Sequence, residues 1–144
     1  MGEDEGLKRL EDLAQVDIDT VYAYDRAIEH VDDEVVRARL ERFRQAHFEH
    51  IAALAEVIRA MGGTPPDLSK DLKGHAVEAL AALRAAPGTK GALKALRTAE
   101  EIAHRHYSGI VSDTLPQDAR DLIRRHFSDE KVHLDYIEQN LKVM

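Results

Sequence analysis

Cysteine is absent from the 144-residue chain, which excludes disulfides, thiolate nucleophiles, zinc–thiolate sites and iron–sulfur clusters. Any metal ligand must then come from His, Asp or Glu. Long apolar runs are missing too: nothing approaches the roughly 18 residues of a membrane span, and MGEDEGLKRL at the N-terminus has no apolar signal core. A cytoplasmic location without a membrane partner is expected. Positive charge is in short supply, since 20 Lys and Arg against 27 Asp and Glu leave a net charge of −7 and no basic surface for a nucleic-acid backbone. Gly and Pro are few and concentrated, at Gly62-Gly63-Thr64-Pro65-Pro66, at Pro87-Gly88-Thr89-Lys90-Gly91 and at Pro116, and these are the breaks. Between them Ala, Leu, Glu and Arg dominate and no stretch alternates like a strand, so the chain reads as all-α. Its length suits one domain, and its eight His are many for that length.

The apolar periodicity predicts a first helix over about 7–30, where Leu7, Leu10, Ala14, Asp17, Val21, Tyr24, Ile28 and Val31 step by three and four. Asp32-Asp33 supplies a turn and an N-cap for a second helix over about 33–61, with the seam Leu40, Phe43, His47, His50, Leu54, Val57, Met61 and a stop at Gly62. A short helix over about 72–86 lies within a long crossover. Thr89 is placed to cap a helix over about 90–113, with Leu93, Leu96, Glu100, Ala103, Tyr107 and Ile110 on one face. Pro116 suits the first turn of a last helix over about 117–142, with the seam Ala119, Ile123, His126, Glu130, His133, Ile137. The sum is a four-helix bundle of two helical hairpins joined by a long crossover, the connectivity of ferritin-like bundles.

A shift of 83 residues lays one hairpin on the other: Asp17 on Glu100, Tyr24 on Tyr107, His47 on Glu130 and His50 on His133, with Leu10 on Leu93 and Leu54 on Ile137. Each polar member of these pairs already stands in a seam. An i, i+3 pair shares one helix face, so His47 with His50 and Glu130 with His133 each offer two ligands to the interior. Asp17 and Glu100 add one carboxylate from each of the other two helices. One carboxylate on each of two helices and an acid-x-x-His pair on each of the others is the di-metal recipe of ferritin-like carboxylate proteins. Burying three carboxylates and three imidazoles together without a cation would be costly.

Through VDIDTVYAYDRAIEHVDD, HFEHIAALAEVIRAMGGTPP, LRTAEEIAHRHY and SDEKVHLDYIEQNL the sequence resembles the small bacterial ferritin-like proteins of the DUF2383 type, over nearly the whole chain. The resemblance implies terminal carboxylates at Asp17 and Glu100, imidazoles from His50 and His133, and a bridging carboxylate at Glu130. His47 departs from it, standing where ferritin-like di-iron proteins carry a second bridging Glu. Three carboxylates fall one short of balancing two divalent ions. Imidazole suits Zn, Fe, Ni and Cu alike, so a single Zn, or an asymmetric pair bridged by Glu130 alone, stays open beside a pair of irons.

Tyr24 and Tyr107 follow Asp17 and Glu100 by two turns, and helical side chains lean toward the N-terminus, so each phenol is aimed back at the proposed site. A core aromatic with its hydroxyl satisfied elsewhere weighs about equally. His104 pairs with Glu101 as acid-x-x-His one turn from Glu100, beside the seam, and could orient or add a ligand or face the surface; His126 precedes Glu130 by four and could orient it. His30, His75 and His106 belong to no constellation and are expected in solvent, as are Asp19 and Asp25, with Asp19 the substitute if the first helix is rotated.

The expected function is a ferritin-like metalloprotein with a buried divalent pair, iron foremost and Zn or Mn compatible, that oxidises ferrous iron or reduces oxygen or peroxide. Storage in a cage is not expected, because the sequence ends with the last bundle helix. The alternative is a non-catalytic binding or assembly module whose structural metal, such as Zn, or metal-free polar core fixes helix register. Ala-rich outer faces permit a homodimer.

Overall fold

The first long helix begins five residues earlier than the periodicity indicates: in the computed structural model, which describes residues 2–67, 74–110 and 115–144, α1 spans Gly2–Ile28. Then come α2 (Glu34–Ala60), α3 (Gly74–Ala85), α4 (Gly88–Ser108) and α5 (Gln117–Lys142). No strand occurs among the described residues, and none of their helices is long and apolar enough to cross a membrane.

Local chemistry sets most of the boundaries. Asp33 is the N-cap of α2, its Oδ1 accepting from the N–H groups of Val35 (2.9 Å) and Val36 (3.2 Å). At the other end Gly62 takes a φ of +87°, and the N–H groups of Gly62 and Gly63 donate to the carbonyls of Arg59 and Ile58, closing the helix as a Schellman turn. Gly63 packs beneath the side chain of Leu7 on α1, where an added Cβ would stand 2.6 Å from Leu7 Cδ1 and would turn that side chain aside.

Thr89 does not cap α4. Pro87 occupies the N-cap position, Thr89 lies inside the helix, and its Oγ1 accepts instead from the N–H of Asp32 at 2.8 Å, tying the first interhelical turn to the start of α4. Pro116 likewise stands at the N-cap of α5, one position before the first turn. The expected extension of α4 to Asp113 fails at Gly109, which ends the helix; residues 111–114 lie outside the described residues, as do residues 72 and 73 of the expected short helix.

Helix α1 packs against α2 and α4, α5 packs against the same two, and α3 covers α4 and α1. The four long helices therefore form a helical bundle in which α1 and α5, and α2 and α4, are diagonal. The seams fill it with two apolar clusters. One gathers Ala27, Val36, Leu40, Leu93, Leu96 and Ile137. The other gathers Leu10, Leu13, Leu54, Ile58, Leu122 and Ile123. Along each seam the residues between these clusters are polar: Asp17 on α1, His47 and His50 on α2, Glu100 on α4, Glu130 and His133 on α5, all buried. Apolar packing on both sides thus holds an ionisable layer at mid-bundle, away from water.

Candidate metal centre

All six seam residues converge in that layer. His47 lies in the middle, its Nδ1 2.7 Å from Asp17 Oδ1 and its Nε2 2.9 and 3.1 Å from Oε2 and Oε1 of Glu100. His133 Nδ1 is 2.8 Å from the same Glu100 Oε2, and His50 Nδ1 is 3.4 Å from Asp17 Oδ1. Two sets could each hold an ion, with ligand atoms within 4.8 Å of one another: Asp17, His47, His50 and Glu130, and His47, Glu100 and His133.

The repeat extends to the groups around these donors. Tyr24 Oη–H donates to Glu100 Oε2 at 2.5 Å and Tyr107 Oη–H to Asp17 Oδ2 at 2.5 Å, so each phenol reaches the carboxylate of the opposite half. Phe43 of α2 stacks on His133 of α5 (ring centroids 4.1 Å apart), and His126 of α5, its counterpart at the same shift, stacks on His50 of α2 (3.7 Å). These contacts orient the imidazoles and carboxylates before any ion arrives.

Electrostatics divides the layer into charged and neutral members. Burial favours a neutral Asp17, but the hydrogen bond from His47 and the neighbouring imidazoles of His47 and His50 outweigh it and hold the carboxyl far below the usual range. Glu100 is depressed in the same way, burial being overcome by the charges of His47 and His133 and their hydrogen bonds. His47 is pushed well above the ordinary imidazole value, because Glu100 and Asp17 outweigh its burial. Without metal it is an imidazolium between two carboxylates. Burial and the adjacent carboxylates raise both phenols, Tyr24 beside Glu100 and Tyr107 beside Asp17, so they remain donors. Burial, reinforced by the nearby His50, lowers His126 to about 3. Since Tyr107 gives its only proton to Asp17, neutral His126 donates through Nδ1, 3.1 Å away, to the Tyr107 oxygen.

Glu130 stands apart. Burial, then the charge of Asp17, pushes its carboxyl up to about 10, and both of its oxygens are buried with no hydrogen-bond partner. A buried carboxyl with no hydrogen-bond partner costs folding energy, and a cation among these donors removes the cost. The donor set fits such an ion: three carboxylates and three imidazoles supply the O and N ligands used by Fe, Mn and Zn.

The neighbouring candidates separate. Tyr24 and Tyr107 hold carboxylates of the layer. His126 does not orient Glu130; it contacts Tyr107 and His50 instead. His104 is half-buried beside the layer, its ring stacked on Phe127 at 4.3 Å, and belongs to neither ligand set. Asp19, expected in solvent, is buried and accepts from Gln15 Nε2 at 3.0 Å, because α1 is covered by α2, α3 and α4 over a wider arc than one seam. Asp25, His30 and His106 are exposed as expected, whereas the side chain of His75 lies outside the described residues.

Sequence reasoning missed Asp129. Its side chain is 52% exposed, yet Oδ2 accepts from His50 Nε2–H at 2.9 Å, which leaves His50 Nδ1, without a hydrogen-bond partner, facing Asp17. A carboxylate behind a ligating imidazole fixes its tautomer and strengthens it as a donor. Asp129 stands one turn before His133 and next to Glu130, and that clustering was its only mark in the sequence.

No curated protein matches the chain. A family described as a domain of unknown function, DUF2383, matches residues 5–113, the span that carries Asp17, Tyr24, His47, His50, Glu100 and Tyr107. Because the match takes in most of the sequence, the chain belongs to the DUF2383 family.

Proposed function

We propose that the protein is a ferritin-like metalloprotein whose buried layer binds a pair of divalent transition-metal ions, with iron the leading candidate. The observation that carries this reading is Glu130, a carboxyl with both oxygens buried and unpartnered among five further N and O donors. The order of elements supports the ferritin-like assignment: hairpin α1–α2, a connection containing α3, then hairpin α4–α5, with one carboxylate from α1, one from α4 and an i, i+3 pair from each of α2 and α5.

Bound iron would supply the redox chemistry, oxidation of ferrous ion or reduction of oxygen or peroxide. The chain's own side chains prepare the site for it. Asp17 and Glu100 are ionised and held by Tyr107 and Tyr24, so they are ready to ligate without losing protons. His47 and Glu130 carry protons that an entering ion displaces. Tyr107, in contact with both Asp17 and His126, links the layer to the wall of a cavity of about 260 Å³ lined by Tyr107, Ile110, Ile123, Phe127, Arg120 and Arg124.

A second reading draws on His47, whose pairing with Asp17 and Glu100 satisfies half of the layer without metal and would fix helix register in a non-catalytic module. Anaerobic loading of chelator-stripped protein with ferrous ion, followed by oxygen or peroxide, separates the two. Uptake of two irons per chain and oxidation faster than in protein-free buffer are expected. Failure to retain ferrous ion would leave the second reading.

A further inference from the structure

We infer that His47 is the bridge of the centre, each of its ring nitrogens holding a different ion. The inference rests on the reading that the layer binds a metal pair, and deepens it. The two ligand sets overlap at one residue, His47, and the ring is turned so that Nδ1 faces Asp17 while Nε2 faces Glu100. Donors bonded to one ion at about 2.0–2.1 Å with tetrahedral or octahedral angles lie about 2.9–3.4 Å from each other. The separations from His47 Nδ1 to Asp17 (2.7 Å), from His47 Nε2 to Glu100 (2.9 Å), from His133 to Glu100 (2.8 Å) and from His50 to Asp17 (3.4 Å) are close to such polyhedron edges.

Glu130, the expected bridging carboxylate, belongs to the first set alone. The first ion therefore has four protein donors, Asp17, His47, His50 and Glu130, and the second has three, His47, Glu100 and His133. A four-coordinate ion in the second position keeps one place for water or a small exogenous ligand, the pattern of reactive sites, whereas the first is closed, the pattern of structural ones.

Charge follows the same division. For both nitrogens to ligate, both ring protons leave to solvent as the ions enter, and the ring becomes an imidazolate with one negative charge. With Asp17, Glu100 and Glu130 this makes −4, which balances two divalent ions and accounts for the absence of a fourth carboxylate. A rigid ring between them holds the ions on the order of 6 Å apart, against about 3.5–4 Å in the usual two-metal site.

Zinc(II) titrated into the chelator-stripped full chain provides the test, with native mass spectrometry counting ions and anomalous diffraction at the zinc edge locating them. The expected result is two ions about 6 Å apart, one beside Asp17, His50 and Glu130 and the other beside Glu100 and His133. Two ions at 3.5–4 Å would preserve the metal pair and overturn the His47 bridge. One ion would overturn the bridge and leave a mononuclear centre, and no bound zinc would overturn the metal reading together with the bridge. In His47→Ala the ion beside Asp17, His50 and Glu130 is expected to remain and the other to be lost; two ions retained in this variant would also overturn the bridge.

Discussion

Replacing Glu130 by Gln should stabilise the metal-free protein and weaken the metal-loaded one. The folded chain holds the Glu130 carboxyl protonated up to about pH 10, while the unfolded chain releases the proton near the ordinary value of 4.5. Between those values the native state binds one proton more than the unfolded state, so stability falls as pH rises, by about 1.4 kcal/mol per pH unit. From pH 4.5 to pH 7 the loss is about 3 kcal/mol, a large share of the ~5–15 kcal/mol that holds a domain of ordinary stability together. Gln has nearly the same shape and no proton to lose, so Glu130→Gln removes this dependence. Urea unfolding of chelator-stripped protein at several pH values measures it. The advantage of Glu130→Gln over the parent should be small near pH 5 and grow to about 3 kcal/mol at pH 7 with unchanged m. Saturating metal should reverse the order, because only the parent has the carboxylate ligand. A difference between the two proteins that stays constant from pH 5 to pH 8 would refute the reasoning.

Other expectations follow from the same layer. In metal-free Glu130→Gln, stability should rise from acid pH to a maximum near about pH 6.5: below it the unfolded chain protonates His126, whose folded pKa is lowered to about 3, and further down Asp17 and Glu100, whose folded pKa values are depressed, lose their contribution, while above it the contribution of His47, whose folded pKa is raised, declines. Thermal melts across pH 3–8 check this, and a maximum above pH 7 would contradict it. Tyr107→Phe and Tyr24→Phe should each cost about 1.5–3 kcal/mol in denaturant unfolding, since each removes a hydrogen bond to a buried carboxylate. Asp129→Ala should lower metal affinity about 10–100-fold, measured by competition with a chelator, while changing metal-free stability by less than about 0.5 kcal/mol because the carboxylate is half exposed. His47→Glu should still take two irons and bring them to the about 3.5–4 Å separation of a carboxylate bridge; two irons that stay on the order of 6 Å apart in this variant would show that residue 47 does not set their separation.

The bundle was legible because its signals are local and redundant. Leu10, Ala14, Asp17, Val21 and Tyr24 keep one period, Asp33 caps α2, and Gly62 closes it. Where one residue had two competing uses, the sequence was ambiguous. Thr89 reads as a cap, but its hydroxyl serves the turn at Asp32, a contact between residues 57 apart that no local pattern announces. The six donors were legible because the repeat and the seams agree. What the repeat could not convey was direction across the bundle. Each tyrosine donates to the carboxylate of the other half, and Asp129 reaches His50 from a different helix, so both depend on how the helices pack. Asp19 was misplaced for a related reason, since α3 adds a covering surface to α1 that a single-seam reading leaves to solvent.

Metal content of the protein purified from its native host, without added metal, tests the central claim most directly. Elemental analysis should find close to two equivalents of a divalent transition metal per chain, with iron foremost, and a lower content in protein in which Glu130 is replaced by Gln, the loss falling on the ion beside Asp17, His47 and His50. A parent protein that emerges without transition metal, and takes up none on incubation with ferrous ion or zinc, would contradict it and leave the layer as a polar core held by His47.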